Sequence, residues 1–290
     1  MRVAGFLFIR NAVRYDYPVR ESLASLLALC DEVIVSIGNS ADDTEGLVRS
    51  IGSPALRITH SVWDDTLREG GRVLAVETDK AFDQVPADAD WCIYLQADEV
   101  IHENDYALIR ANMEKYKDDP RVEGFLFKYR HFYGSYDYLG DSRRWYSHEI
   151  RVIRNDKSIR SYRDAQGFRK NGRKLQVKAL DAYIYHYGWV RHPSRQLQKH
   201  LDFEKLYNTD RWAREVSLRQ IEDFDYKGID SLKKFTGTHP AVMQPLISRK
   251  NWQFTMDISK KNFSAKGWFH YWIEKITGKR IFDYKNYKII

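Results

Sequence analysis

The sequence predicts an α/β fold in which helices flank a mostly parallel, mixed central sheet. Three observations support this class. The first half of the chain alternates short apolar runs with amphipathic stretches, a pattern typical of strands joined by crossover helices. Polar and acidic residues directly follow several apolar runs, as expected where parallel strands end beside a ligand. With 290 residues, of which 43% are hydrophobic, the chain can bury the core of one enlarged domain.

The first half supplies the elements of this sheet in order. The predicted elements are a strand at 3–9, a helix at 23–29, a strand at 33–37, a helix at 47–51, a helix at 73–82, a strand at 91–95 and a helix at 106–116. Buried parallel strands are short, continuous apolar runs, and the runs at 3–9 and 91–95 fit this description. Because parallel strands end at one edge of a sheet, we expect residues 10–11, 38–40 and 96–98 to be neighbours.

The second half of the chain has a different composition and a less regular alternation of apolar runs. Residues 124–127 and 149–153 resemble strands, but the segment between them is rich in Tyr, Arg and Asp. From about Pro193 the chain is polar and predicted to be helical, with tryptophans spaced among lysines at Trp212, Trp252, Trp268 and Trp272. We see no repeats and no low-complexity linker. We therefore expect three consecutive parts, namely residues 1–120, residues 121–192, and a helical, aromatic and basic C-terminal extension at 193–290.

Charge, cysteines and hydropathy narrow the possible partners. The net charge of +7 favours anionic partners, which include nucleoside diphosphates, anionic lipids and nucleic acid. Cys30 and Cys92 each lie in an apolar run, so we expect reduced, buried thiols and a cytoplasmic protein. No apolar run approaches the roughly 18 residues of a membrane helix, so we expect any membrane contact to be peripheral, at the inner face.

An acidic segment, Gln96-Ala97-Asp98-Glu99, follows the apolar run at 91–95, where a buried strand would meet a ligand crevice. A hard cation such as Mg²⁺ or Mn²⁺ prefers carboxylate and phosphate oxygens, so one or two carboxylates and a bound diphosphate can hold it. Asp98 is the first candidate ligand. The alternative is that Asp98 and Glu99 only begin the next helix, where carboxylates meet the helix dipole favourably.

A second strand end, Gly38-Asn39-Ser40, leads into the acidic run 42–45. The Asn39 side chain and these carboxylates can hydrogen-bond a nucleobase or a ribose, and the alternative is that they only cap the next helix. The glycine pattern GxGxxG is absent from this segment, which disfavours a dinucleotide cofactor.

Two further polar residues lie in the second half. His186 ends an apolar, aromatic stretch, and a neutral imidazole can bind a cation or a phosphate oxygen, although it can also be an ordinary semi-buried histidine. The spacing of His186, His192 and His200 is not that of a zinc site. Asp164 stands among arginines in a predicted loop and is a candidate general base, although such neighbours lower a carboxylate's pKa. Its alternative is a loop salt bridge.

The C-terminal segment 267–276 combines aromatic residues with basic flanks. The flanking cations include Lys260, Lys261, Lys279 and Arg280. An aromatic, basic helix of this kind can lie on a membrane surface beside a lipid-linked acceptor. The alternative is that the aromatic side chains pack against the core.

Taken together, these motifs resemble those of bacterial family-2-like glycosyltransferases with the GT-A fold, over nearly the whole chain. The motifs that carry the resemblance are Ile9-Arg10-Asn11, Gly38 to Thr44, Leu95 to Glu99, Arg160 to Arg169 and Tyr185 to Arg191. The resemblance implies a nucleotide-diphospho-sugar donor of the UDP or GDP type, a divalent cation, and inversion at the anomeric carbon. It also implies a glycan or lipid-linked acceptor and a part in cell-surface polysaccharide synthesis.

The resemblance further implies roles for residues of this chain. Asp98 would bind the metal with help from His186, and Asp164 would be the catalytic base, with Glu149 as its rival. The residues of the nucleotide-sugar pocket would be Arg10, Asn11, Asn39, Arg72, Asp79 and Gln96. Many relatives have an aspartate where this chain has Gln96, so the expectation of Mn²⁺ or Mg²⁺ is weakened.

On this resemblance residues 1–120 would be the nucleotide-sugar-binding half and residues 121–192 the acceptor-side half of one GT-A domain. Two other functions fit parts of the sequence. A nucleotidyltransferase acting on a sugar phosphate would share the architecture, but Arg10 to Arg14 is not a glycine-rich phosphate loop. A non-catalytic nucleic-acid or glycan-binding module would explain the charge and the 14% aromatic content, but no nucleic-acid recognition motif is present. A homodimer through the C-terminal helices is left open.

Overall fold

The computed structural model describes residues 1–67, 69–207 and 223–290. Within these ranges thirteen strands form one mixed sheet, and helices flank it, which confirms the predicted fold class. Residues 208–222, which include Trp212 and belong to the predicted C-terminal extension, lie outside the described residues.

The bounds of the elements are as follows. The strands are β1 Val3–Ile9, β2 Glu32–Ile37, β3 Leu56–His60, β4 Trp91–Tyr94, β5 Glu99–Ile101, β6 Gly124–Tyr133, β7 Ser135–Gly140, β8 His148–Arg154, β9 Ile159–Tyr162, β10 Gly167–Lys170, β11 Arg173–Trp189, β12 Leu232–Lys234 and β13 Tyr287–Ile289. The α-helices are α1 Val19–Leu27, α2 Thr44–Arg49, α3 Arg72–Asp83, α4 Tyr106–Lys115, α5 Pro193–Glu204, α6 Gln244–Ser248 and α7 Ala265–Thr277.

The sheet is parallel at one end and mixed at the other. Its strands follow the order β3-β2-β1-β4-β8-β6-β11-β10-β9. The first four of these strands are mutually parallel, as the alternating sequence pattern predicts. β8 runs antiparallel to both β4 and β6, whereas β6 and β11 are parallel. Strand β8 therefore joins the two halves of the chain in one continuous sheet.

Both faces of the parallel strands are buried because helices cover each side. Leu7 of β1 packs in one apolar cluster with Leu23 of α1. Phe6 points to the opposite face and packs against Phe82 of α3, with 5.2 Å between the ring centroids. A strand covered on both faces is apolar at consecutive positions, which explains the continuous run at the N-terminus.

The loops that follow β1 and β2 lie together, as predicted. Asn11 has a left-handed backbone with a φ of 57°. Its Oδ1 accepts a hydrogen bond from the backbone N–H of Ala41 at 2.7 Å, and its own N–H donates to Ser40 Oγ at 3.0 Å. In addition, Ser22 Oγ of α1 donates to the backbone oxygen of Gln96 after β4 at 3.1 Å. These bonds fix the carboxyl edge of the sheet.

The acidic segment continues as a strand and not as a helix. Glu99–Ile101 forms β5, which pairs antiparallel to β11 with Glu99 opposite His186. The backbone N–H of Tyr187 also donates to the backbone oxygen of Asp98 at 2.8 Å. The interpretation of Asp98 and Glu99 as the start of a helix is therefore wrong, and the pairing with β11 brings His186 beside Asp98.

The C-terminal segment contributes to both the sheet and the surface. β13 pairs parallel with β11 and adds a strand to the second half of the sheet. On α7 the side chains of Phe269, Trp272 and Ile276 are exposed. Across the three described ranges, no helix has the length and apolar character needed to cross a bilayer.

Candidate functional site

A cavity of about 1000 Å³ opens at the carboxyl edge of the parallel strands. Parts of β6, β11 and α5 line it together with the loops after β1 and β4. Six of the predicted site residues lie on its wall, namely Arg10, Asn11, Gln96, Asp98, Asp164 and His186. Its volume suits a ligand larger than a single sugar or phosphate.

Asp98 lies on this wall and is paired with a lysine that the sequence had not singled out. Lys199 Nζ of α5 donates to Asp98 Oδ2 at 3.0 Å and to the backbone oxygen of Gly188 at 3.1 Å. His186 Nε2 lies 3.6 Å from Asp98 Oδ1. Burial alone would raise the pKa of Asp98, but the charges of Lys199 and Arg191, together with the hydrogen bond from Lys199, hold it well below its ordinary value. Asp98 is therefore an ionised carboxylate.

His186 belongs to a buried histidine pair. Its Nδ1 lies 2.9 Å from Nδ1 of His131, whose Nε2 lies 2.8 Å from the backbone oxygen of Tyr146. Burial lowers the pKa of both histidines, so both are neutral near pH 7. If His131 donates from Nε2 to that carbonyl, its Nδ1 accepts from Nδ1 of His186. That tautomer leaves a lone pair on His186 Nε2 facing Asp98.

Glu99 has a structural role beside the pair of His131 and His186. Its carboxylate receives two hydrogen bonds from the guanidinium of Arg151, at 2.7 Å and 2.8 Å, and one from Tyr129 Oη at 2.8 Å. It also accepts from the backbone N–H of Gln96 at 3.1 Å, across the loop that carries Asp98. The Glu99–Arg151 pair is fully buried. Glu99 therefore shapes the loop that presents Asp98 to the cavity.

Arg191 is a second buried cation near Asp98. Its side chain is completely buried, and none of its three guanidinium nitrogens has a hydrogen-bond partner among the described residues. The guanidinium lies 5.2 Å from the ring centroid of Tyr17, and Lys199 Nζ lies 4.8 Å from the same centroid. Burial, followed by the charge of Arg191, lowers the pKa of Lys199 to about 8, although Asp98 opposes this shift.

The two candidate bases have different surroundings. Asp164 lines the cavity, and Tyr207 Oη donates to its Oδ2 at 3.4 Å. Burial raises the pKa of Asp164, although Tyr207 and Arg163 act in the opposite direction. Glu149 on β8 is only 7% exposed, and burial raises its pKa to about 8. Within the described chain Glu149 is not part of the cavity wall.

Arg10 and Asn39 belong to one cluster at the ends of β1 and β2. The Arg10 guanidinium lies over Trp63, 5.4 Å from the ring centroid, and pairs with Asp65 at 2.8 Å. Asn39 Oδ1 accepts a hydrogen bond from the backbone N–H of Trp63 at 3.2 Å. Arg10, Trp63 and Asp65 line the cavity, whereas Asn39 supports the segment that carries Trp63.

Arg72 and Asp79 lie on α3. Arg72 begins this helix and is exposed. Asp79 Oδ1 accepts a hydrogen bond from the backbone N–H of Ser161 at 2.8 Å, which ties α3 to β9. Burial raises the pKa of Asp79 to about 6. Neither residue is among the described residues that line the cavity.

A further part of the cavity wall is aromatic. Tyr133, Trp145 and Trp189 line it and pack against one another, with ring centroids 5.7 Å to 6.3 Å apart. Flat aromatic side chains offer apolar surface together with polar edges. The site thus has a charged side around Asp98 and an aromatic side.

Sequence reasoning missed the residues that meet Asp98 from elsewhere in the chain. Arg191 ends the motif around His186 and Lys199 follows it, but nothing in their spacing indicates that they lie near Asp98. Only the pairing of β5 with β11, and the return of α5 over the cavity, bring them together. His131 was also missed, because it lies within a strand that reads as ordinary polar and aromatic sequence.

Comparison with known proteins finds remote likenesses only. No protein-family model and no curated protein matches the chain. Among solved structures, TarS 1-349 of S. aureus has 14% identity and a TM-score of 0.38, with 72% of this chain and 66% of that chain covered. It has also been solved in complex with UDP.

Two further structures are similar in part. Glucosyl-3-phosphoglycerate synthase from Mycobacterium tuberculosis, in complex with Mg²⁺ and UDP, has 17% identity over 46% of this chain and 43% of that chain, with a TM-score of 0.28. The 4-diphosphocytidyl-2C-methyl-D-erythritolsynthase from Anaerococcus prevotii DSM 20548 has 10% identity over 53% of this chain and 70% of that chain, with a TM-score of 0.33. These likenesses are too remote to assign a function, which must come from the site itself.

Proposed function

We propose that this chain transfers a sugar from a nucleotide-diphospho-sugar of the UDP or GDP type to a hydroxyl of a glycan or lipid-linked acceptor, with inversion at the anomeric carbon. One observation carries the proposal. The ionised Asp98, the cation Lys199 and the candidate base Asp164 all line one cavity at the carboxyl edge of the parallel strands. This edge is where ligands bind in open α/β sheets.

The charged side of the cavity suits the nucleotide diphosphate. Arg10 provides a cation at the end of β1, and Trp63 provides an aromatic face beside it. Gln96 and Asn11 line the same cavity and add polar groups to its wall. Asn39 acts through Trp63 in this proposal. The roles of Arg72 and Asp79 in the pocket remain predictions, because they are not part of the described wall.

A divalent cation would need ligands from the nucleotide-sugar donor in addition to those from this site. Asp98 and His186 would hold it, since the carboxylate is ionised and His186 Nε2 lies 3.6 Å from Asp98 Oδ1. No group of three His, Cys, Asp or Glu side chains that could hold a metal occurs within the described ranges. The diphosphate would have to complete the shell, as is common for Mg²⁺. When bound, the cation would neutralise charge on the departing diphosphate.

The chemical step needs a base on the same cavity. Asp164 takes the proton of the acceptor hydroxyl, whose oxygen forms a bond to the anomeric carbon. The bond from that carbon to the diphosphate oxygen breaks, and its electron pair leaves with the nucleoside diphosphate. The raised pKa of Asp164 makes its carboxylate a stronger base than an exposed aspartate. The aromatic side, formed by Tyr133, Trp145 and Trp189, offers flat surface for sugar rings.

We also propose where in the cell the reaction takes place. Cys30 and Cys92 are free and buried, which supports a reducing, cytoplasmic location. The exposed aromatic residues of α7 support peripheral contact with the inner face of a membrane, where a lipid-linked acceptor would lie. The sequence resemblance supports a part in cell-surface polysaccharide synthesis. The proposal leaves a homodimer open.

A panel of donors tests the proposed function. Wild-type protein and Asp164→Asn would be incubated with UDP-, GDP- and CMP-sugars in the presence of Mg²⁺ or Mn²⁺, and release of the nucleoside phosphate would be followed by chromatography. We expect release from at least one UDP- or GDP-sugar by the wild type, and release about 10²- to 10⁴-fold slower by Asp164→Asn. Neither binding nor release across the panel would refute the proposal. Release of pyrophosphate from a nucleoside triphosphate and a sugar phosphate would replace it by nucleotidyl transfer.

A further inference from the structure

Two basic side chains and one carboxylate meet at this side of the cavity. Lys199 Nζ contacts Asp98 Oδ2 at 3.0 Å, and the Arg191 guanidinium lies beside the same Tyr17 ring as Lys199 Nζ. Within the described ranges the Arg191 guanidinium is fully buried and makes no hydrogen bond. A buried, unpaired guanidinium is costly unless another charge compensates it. One further negative charge is therefore expected beside this cluster.

Lys199 is placed to receive that charge. Its Nζ donates to Asp98 and to the backbone oxygen of Gly188, while an ammonium group has three donors. Lys199 lines the cavity, whereas Arg191 lies beneath the wall and acts through its charge. Both cations lie close to the ring of Tyr17, at 4.8 Å and 5.2 Å from its centroid. An anion in the cavity can thus contact Lys199 directly and be attracted by Arg191.

We propose that Lys199, supported by Arg191, binds the diphosphate of the donor and of the released nucleoside diphosphate, and that it does so without a divalent cation. Asp98 holds the lysine in place while the cavity is empty. The diphosphate then accepts a charge-assisted hydrogen bond from the third donor of Nζ, while Asp98 and the backbone oxygen of Gly188 keep the other two. This inference rests on the proposed function, since it names the group that contacts the donor's diphosphate.

The experiment measures binding and not turnover. Isothermal titration calorimetry with UDP, GDP and inorganic pyrophosphate would be run in EDTA and again in Mn²⁺. The proteins would be wild type, Asp98→Asn, Lys199→Arg, Lys199→Gln and the double variant Asp98→Asn with Lys199→Gln. The double variant leaves no unpaired Asp98 charge if Lys199→Gln alone does not fold. Lys128→Gln is the matched control, because Lys128 pairs with Asp181 at 2.6 Å outside the described cavity wall.

We expect at least one nucleotide to bind the wild type in EDTA. Asp98→Asn should bind at least as tightly in EDTA, because the Asp98 carboxylate no longer repels the diphosphate. Adding Lys199→Gln to Asp98→Asn should weaken this binding about 10- to 100-fold, the loss of one charge-assisted hydrogen bond. Lys199→Arg should retain most of the affinity, and Lys128→Gln should match the wild type.

The outcomes separate this inference from the proposed function. Binding that needs Mn²⁺ and is equal with and without Lys199 would overturn the inference and leave the function standing. Loss of EDTA binding in Asp98→Asn with Lys199 intact would also overturn it. If folded wild type bound none of the three probes in either condition, the inference and the proposed function would both fail.

Discussion

Asp164 and Glu149 are carboxylic acids whose pKa is raised by burial, but only Asp164 faces the cavity. A base must reach the hydroxyl that it deprotonates, so position decides between the two before pKa does. Glu149 lies on β8 and is not among the described lining residues, and its Oε2 lacks a hydrogen-bond partner among the described residues. We therefore propose Asp164 as the base and a structural role for Glu149.

Substituting each acid by its amide tests this assignment. We expect Asp164→Asn to lower kcat/KM by about 10²- to 10⁴-fold, because general base catalysis is lost. Glu149→Gln should keep most of the activity. Both would be measured as nucleoside diphosphate release with the same donor and acceptor. An active Asp164→Asn together with an inactive Glu149→Gln would exchange the two roles.

Glu149 should also make stability depend on pH. Its pKa is about 8 in the folded chain, against an ordinary value of 4.5. The folded state keeps a proton that the unfolded state loses, so this stabilisation is complete below the ordinary value and is lost as pH rises towards 8. We expect Glu149→Gln to gain stability relative to wild type between about pH 5 and pH 8. Urea unfolding at both ends of this range measures the effect, and parallel pH dependences in the two proteins would contradict it.

At the scale of elements, β11 positions the site. Gly188 on this strand lies against the Asp98–His186 pair, because a Cβ there would be 2.6 Å from His186 Nε2 and 3.0 Å from Asp98 Oδ2. We expect Gly188→Ala to displace these side chains and to lower kcat/KM on the order of 10²-fold, with a nearly unchanged melting temperature. Unaltered kinetics in the folded variant would show that this close approach does not matter.

The pair of Glu99 and Arg151 joins β5 to β8. The pair is fully buried, so Arg151→Met leaves the Glu99 charge unpaired. We expect this substitution to lower the free energy of unfolding by about 3–5 kcal/mol. Adding Glu99→Gln should regain a large part of the lost free energy of unfolding. Urea unfolding of the single and double variants measures this. Equal stability of the two variants would argue against an unpaired charge as the cause.

The elements predicted from sequence are those that local pattern determines. Apolar runs in the sequence predicted β1, β2 and β4, and the polar residues at their ends predicted the edge of the sheet where the cavity lies. β5 could not be predicted, since three residues carry no periodicity and its pairing partner β11 is distant in the chain. For the same reason the partners of Asp98 that come from β11 and α5 were missed.

At the scale of the whole molecule, the class of fold follows from the sequence, but the way in which distant segments assemble the site does not. The parallel half is determined by alternating strands and helices, whereas the second half depends on long-range pairing, as when β13 returns to β11. Arg10, Asn11, Gln96 and Asp98 meet at one cavity because the ends of parallel strands share an edge, whereas Asp164 and His186 reach it from the second half of the chain. Asn39, Arg72, Asp79 and Glu149 lie off its described wall, because a position along the chain does not say which way a side chain points.

The central claim is that the Asp98 edge of the cavity binds the diphosphate of a nucleotide sugar. A crystal structure of the wild-type protein with UDP or GDP, whichever binds more tightly in solution, tests it most directly. We predict that the diphosphate lies within hydrogen-bonding distance of Lys199 Nζ, with the nucleoside towards Arg10 and Trp63. A nucleotide bound away from this cavity, or in it with the diphosphate remote from Asp98 and Lys199, would contradict the claim.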